Sequence, residues 1–155
     1  MKTIRTRASI AFPPAQVWAV LADFRLYAEW NPLNIWADGE ARLGARVRMR
    51  FVDAGGGTGR VLSQSVTIVA CDPPQRLAWV GRIPLLFTGR HSFQLEPSAT
   101  GTELLHGEDL SGLVPMTFTA ERLARQTAAY AATNAALEQR IRVLTRAAYA
   151  ADRVS

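Results

Sequence analysis

Lysine is nearly absent from this chain: Lys2 is the only one among 18 lysine and arginine residues. The net charge of +5 is therefore an arginine charge, and its arginines are spread along the chain, at positions from 42 to 146 among others. A nucleic-acid binder masses such charge on one element and interleaves rings for base stacking. Neither pattern is present, so the charge reads as solvated surface and no nucleic-acid partner is implied. Cysteine is reduced to Cys71, which excludes an internal disulfide and fits a reducing cytoplasm. No stretch approaches the roughly 20 apolar residues of a membrane span, so stable membrane insertion is not expected. The opening MKTIRTRASIAFPPAQVWAVLA has the basic and apolar parts of a leader. Pro13, Pro14 and Gln16 interrupt its apolar core, which argues against a signal peptide and for a cytoplasmic protein.

What is present suits an ordinary globular chain, with 48% hydrophobic and 20% charged residues over 155 positions. That length predicts a single domain, 1–155, with one real core. Residues 3–12 predict a strand, ended by Pro13-Pro14, which open a helix carrying Val17, Trp18 and Leu21 on its apolar side. In DFRLYAEWNPL, Phe24, Tyr27 and Trp30 recur every three residues on a second short helix that Pro32 terminates. Three large rings on so short a helix predict a roof over a cavity. ARVRMRFVD alternates Ala45, Val47, Met49 and Phe51 with arginines, the pattern of a half-buried strand. DAGGGTG reads as a flexible hairpin connection, since it lacks the lysine and hydroxyl of a phosphate loop and leads into no helix. RVLSQSVTIVACD, RLAWVGRI, LLFTGRHSFQLEP and GTELLHGEDLSG follow as strands bounded by proline or glycine. From 119 to 152 a helix without glycine or proline carries Leu123, Thr127, Tyr130, Asn134, Leu137, Ile141 and Leu144 as one buried stripe. A rod of roughly 50 Å needs a wide, curved sheet to cover it.

This order, with FPPAQVWAVLADF, the aromatic stretch ending in WNP, PPQRLAW, HSFQLEP, GTELLHGEDLSGL and TNAALEQRIR, resembles the START-like or SRPBCC superfamily over nearly the whole chain. The likeness is to its polyketide cyclase/dehydratase-like branch. The resemblance implies an α+β helix-grip fold, in which a bent antiparallel sheet grips the C-terminal helix around a cavity. It implies neither cofactor nor metal, and it does not separate carriers, lipid-transport-like proteins and enzymes, because one container serves many jobs.

Period-2 parity then assigns faces. Leu77, Trp79 and Gly81 share one; Phe87, Gly89, His91, Phe93 and Leu95 another; Thr102, Leu104, His106, Glu108 and Leu110 a third. A connection over residues 97–100 predicts His91 opposite His106, with Glu108 diagonal to His91. Both histidines and one carboxylate then meet on the concave face. Three chemistries fit: a metal site, an acid–base site, or a satisfied polar patch that bonds ligand or water. Asn134 either reaches into the cavity or bonds the sheet, and Tyr130 offers a ring and a hydroxyl to the same space. Met49, Phe51, Trp79 and Phe93 read as cavity wall or core, Trp18 and Phe24 as plugs. The expected void lies between the sheet and helix 119–152 and opens past Tyr27 and Trp30.

Two functions compete. One is an intracellular carrier or sensor for a small hydrophobic or aromatic molecule, contacted by Tyr27, Trp30, Met49, Phe51, Trp79, His91, Phe93, His106, Glu108, Tyr130 and Asn134. The other is a cyclase or dehydratase on a polyketide-like substrate, with His91, His106 and Glu108 handling protons. A partner-binding adaptor is a third class, and monomer and homodimer stay open.

Overall fold

The proline pair does what its chemistry requires. β1 (Lys2–Ile10) stops just before it, and α1 (Pro14–Leu21) starts on Pro14, where a missing N–H costs nothing. A 3-10 turn (Phe24–Leu26) runs into the single-turn α2 (Tyr27–Trp30), which ends ahead of Pro32. Then come β2 (Trp36–Asp38), β3 (Arg46–Val52), β4 (Val61–Asp72), β5 (Arg76–Ile83), β6 (Phe87–Ser98) and β7 (Gly101–Ser111). The short α3 (Leu113–Met116) precedes α4 (Ala120–Asp152), whose start is capped by the Thr119 hydroxyl accepting from the Arg122 N–H. The computed structural model describes residues 1–153. Its seven strands form one antiparallel sheet in the order β1-β7-β6-β5-β4-β3-β2, and α4 packs on it in the helix-grip arrangement.

Four expectations need correction. The β6–β7 hairpin is two residues out of the expected register: Phe93 pairs with His106, and His91 pairs with Glu108. β6 runs on through Pro97 and Ser98, leaving only Ala99 and Thr100 as the turn. Proline is tolerated there because β6 has already lost its β5 partner beyond Gln94, so no ladder bond is missed. Gly101, at φ 148°, lies where a Cβ would sit 2.1 Å from the Ile10 carbonyl oxygen, which forbids a side chain at that point. A shift of two keeps every residue on its face, so the inward set survives.

Secondly, the α4 stripe is buried only in its middle, at Tyr130, Asn134, Leu137 and Ile141, joined by Thr133. Leu144 is 41% exposed. A seven-residue repeat drifts about 20° per heptad on a straight helix, so its ends rotate off the sheet. Thirdly, the DAGGGTG connection is pinned rather than loose. Asp53 caps its 3-10 turn and accepts from Arg122 at 2.7 Å, while Arg125 donates to the Gly55 carbonyl at 2.8 Å. Finally, the rings of the second helix do not roof an opening. Tyr27 is 0% exposed and its hydroxyl donates to the Leu21 carbonyl at 2.7 Å. Phe24, Tyr27 and Trp30 pack edge to face at 5.2 and 5.3 Å, and Phe24 meets Trp79 at 6.0 Å. They plug one end of the sheet. β2 and α3 had no counterpart in the sequence reading; each is only three or four residues long, too short for periodicity to show.

Candidate functional site

Beyond Trp79 the concave face stops being filled. A cavity of about 600 Å³ opens between β3–β7, the pinned β3–β4 loop and the N-terminal half of α4. Its lining residues Ile83 and Val114 are 50% and 43% exposed. Two wall positions hold glycine, which leaves room for the Gln64 and Glu108 side chains to lie over them. Gly81 and Gly89 are register partners on β5 and β6, both on the wall.

Met49, Phe51, Trp79, His91, Glu108 and Tyr130 line this cavity. Tyr27, Trp30, Phe93, His106 and Asn134 do not: the first two belong to the plug, and the other three stand behind the wall. Phe93 stacks on His106 at 4.1 Å, and His106 stacks in turn on Tyr130 at 4.6 Å. His91 lies flat on Trp79 at 4.5 Å. Rings thus enclose both imidazoles, and the polar atoms they cannot satisfy are satisfied by a chain of hydrogen bonds. Glu108 Oε2 shares one with the Tyr130 hydroxyl at 2.6 Å, and that hydroxyl lies 3.1 Å from His91 Nδ1. The Nε2 atoms of His91 and His106 are 2.8 Å apart. His106 Nδ1 lies 2.7 Å from Asn134 Oδ1. Asn134 Nδ2 donates to the Thr6 hydroxyl, which donates to the His106 carbonyl, both at 3.0 Å.

Burial sets the charges of this chain. It pushes His106 down to about 4, against which the bonds to Asn134 and the Tyr130 backbone pull only partly. It pushes His91 well below its ordinary range, and the neighbouring His106 adds to that. The Glu108 carboxyl is pushed up to about 7 by burial, opposed by the Tyr130 hydroxyl and assisted by nearby Asp109. Tyr130 is held well above its ordinary value by burial and by Glu108. Near neutral pH the site therefore holds two neutral imidazoles and a carboxyl poised to take or give a proton. Among the described residues no three His, Cys, Asp or Glu groups are arranged to hold a metal ion.

Sequence reasoning passed over Asn34, Gln64, Arg122 and Gln126, all on the cavity wall and each with a buried polar atom that has no partner. Two signals were available. Gln64 shares parity with Val66 and Ile68, a polar residue on an inward face. Gln126 stands one helical turn before Tyr130 and two before Asn134. Asn34 lies in a loop, where neither period applies.

A family model described as polyketide cyclase / dehydrase and lipid transport matches residues 1–148. None of the curated proteins matches this chain. Among solved structures, the chain is similar to the Zhui aromatase/cyclase from a Streptomyces species, at TM-score 0.72 and 21% identity, covering 95% of this chain and 97% of that one. A protein from Thermus thermophilus superposes at TM-score 0.70 and 14% identity, covering 92% and 99%. DynU16, a protein in the dynemicin biosynthetic locus, superposes at 0.68 and 18% identity, covering 90% of this chain and 46% of that one. At such identities these likenesses concern the fold.

Proposed function

From the premise that the chain belongs to the polyketide cyclase / dehydrase and lipid transport family, we propose that it binds one small apolar or aromatic molecule in its cavity. The observation that carries this reading is the cavity itself: about 600 Å³, walled by Met49, Phe51 and Trp79, with Gln64, Glu108, Arg122 and Gln126 as polar groups set among them. That is the size and chemistry of a small-molecule pocket. Trp79 and Phe51 supply flat and edge contacts, while Glu108 and Gln64 offer the ligand's polar edge a place to bond. His106 and Asn134 support the wall from behind, and Tyr27 and Trp30 keep the far end closed.

A second reading is an enzyme of cyclase or dehydratase type, favoured by the Glu108 carboxyl held at about 7 on the cavity wall. In that reading Glu108 exchanges a proton with the bound molecule, Tyr130 and His91 relay the hydrogen-bond rearrangement, and His106 positions His91. Tryptophan quenching by the neutral probe N-phenyl-1-naphthylamine tests the common premise. Saturable binding of one probe per chain is expected, with an apparent Kd on the order of micromolar. Native mass spectra with an organic extract of the purified protein then identify any carried molecule. Failure of the probe to bind, with an empty extract, would remove the cavity as a ligand site. If a carried molecule emerges chemically altered by wild type but unaltered by Glu108→Gln, the enzyme reading replaces the carrier.

A further inference from the structure

The hydrogen-bond chain has a direction, and one backbone atom sets it. The His106 carbonyl can only accept, and it takes the Thr6 hydroxyl proton. The Thr6 oxygen therefore accepts from Asn134 Nδ2, and this turns Asn134 Oδ1, an acceptor, toward His106 Nδ1. That nitrogen must carry its proton. A neutral imidazole protonated at Nδ1 has a lone pair at Nε2. The proton between the two histidines accordingly sits on His91 Nε2, leaving a lone pair on His91 Nδ1 for the Tyr130 hydroxyl proton. The Tyr130 oxygen is then free to accept, so when Glu108 carries its proton the short contact runs from carboxylic acid to phenol, the reverse of the bond Tyr130 donates to Oε2 when Glu108 is ionised. With Glu108 ionised, Tyr130 has one proton for two acceptors, and His91 Nδ1 goes without. Glu108 thus gives its own proton inward. What it turns to the cavity is Oε1, an acceptor.

The floor beneath is arranged for this. A Cβ on Gly89 would lie 2.5 Å from Glu108 Oε1, and one on Gly81 would lie 2.5 Å from Gln64 Oε1. These paired glycines face the cavity with their absent side chains roughly 5 Å apart. A carboxyl from β7 and a carboxamide from β4 lean over them toward each other. Gln64 Nε2 is buried without a partner. One side of the floor offers an acceptor and the other a donor, and a hydroxyl is the smallest ligand group that answers both.

We infer that Glu108 Oε1 and Gln64 form a subsite that reads a hydroxyl group on the bound molecule, such as a phenol, with Thr6 and Asn134 setting its preference from behind the wall. This rests on the cavity being a ligand site. A ketone or ether oxygen at Glu108 would set two acceptors against each other and leave both unsatisfied, so such groups are rejected there. Thr6 and Asn134 are positioning residues, since they never touch the ligand.

Calorimetric titration at pH 6 with 2-naphthol, 2-methoxynaphthalene and naphthalene tests the subsite. Wild type should bind 2-naphthol about tenfold or more tighter than the ether. Glu108→Leu should shrink that ratio below about threefold, and Glu108→Gln should restore it, because its amide N–H can donate to Tyr130 while its carbonyl still faces the cavity. Nitrogen-15 NMR of the wild type should show His106 protonated at Nδ1 and His91 at Nε2 without any substitution. Equal binding of naphthol and ether, Gln behaving as Leu, or the opposite tautomers would overturn the subsite while leaving the cavity a ligand site. Binding of none of the three aromatics would instead remove the cavity reading, and the subsite with it.

Discussion

The two ends of the concave face are built on the same sheet and packed under different loads. At one end Phe24, Tyr27 and Trp30 interlock with Val17, Leu21 and the inward residues of β3 and β4 in a closed core. At the other, across Trp79, β4 to β7 present Gln64, Gly81, Gly89 and Glu108, and a void remains. Trp79 belongs to both, touching Phe24 on one side and His91 on the other. The plug is carried in by α1, the 3-10 turn and α2, whereas no such helical segment fills the other end. Where a grip between sheet and helix is filled by large side chains it is a core, and where it is not it is a container, because interiors pack densely only where there is bulk to pack.

That contrast can be broken at either end. The largest effect is expected at the plug. Phe24→Ala deletes a fully buried ring and should cost about 3–5 kcal/mol in urea denaturation. A loss under about 1 kcal/mol would mean that this end carries no core. The next effect belongs to the container wall. Glu108 is raised from 4.5 to about 7 in the folded chain, so folding favours its protonated form. Its contribution is fully present below pH 4.5 and is lost as pH rises through about 7, on the order of 3 kcal/mol in all. Glu108→Gln, which cannot ionise, should therefore be the more stable protein at pH 8, with the advantage shrinking at pH 5. The buried histidines act in the opposite sense in both proteins. With His106 lowered to about 4, stability present above 6.5 is lost as pH falls toward 4. Equal pH profiles for wild type and Glu108→Gln would contradict this account.

The smallest stability effect is expected at the floor. A Cβ on Gly81 meets only the end of the Gln64 side chain, which can swing into the void. Gly81→Val should change stability by no more than about 1 kcal/mol while weakening N-phenyl-1-naphthylamine binding about tenfold or more. Unchanged binding in a folded Gly81→Val protein would place the probe elsewhere.

Much of this architecture could be read from local signals. Proline at 13, 14 and 32 marked element ends, period-2 alternation found the long strands, and parity put His91, His106 and Glu108 on one face. These features depend on near neighbours in the chain and on a two-fold repeat, both visible in a string of letters. Hairpin register needed the length of a turn, which Pro97 and Ser98 obscured by staying in the strand. The site needed more. Which aromatic residues plug and which line a cavity depends on where the void falls along the sheet, and there Gly81 lies opposite Gly89 on neighbouring strands. The order of protons from Thr6 to Glu108 joins residues 102 positions apart across β1, β6, β7 and α4. By itself, then, the sequence determined the long elements, their inward faces and the family. Only the tertiary structure decided which end is hollow and which atoms face it, because cavities and hydrogen-bond direction arise from distances between strands that are remote along the chain.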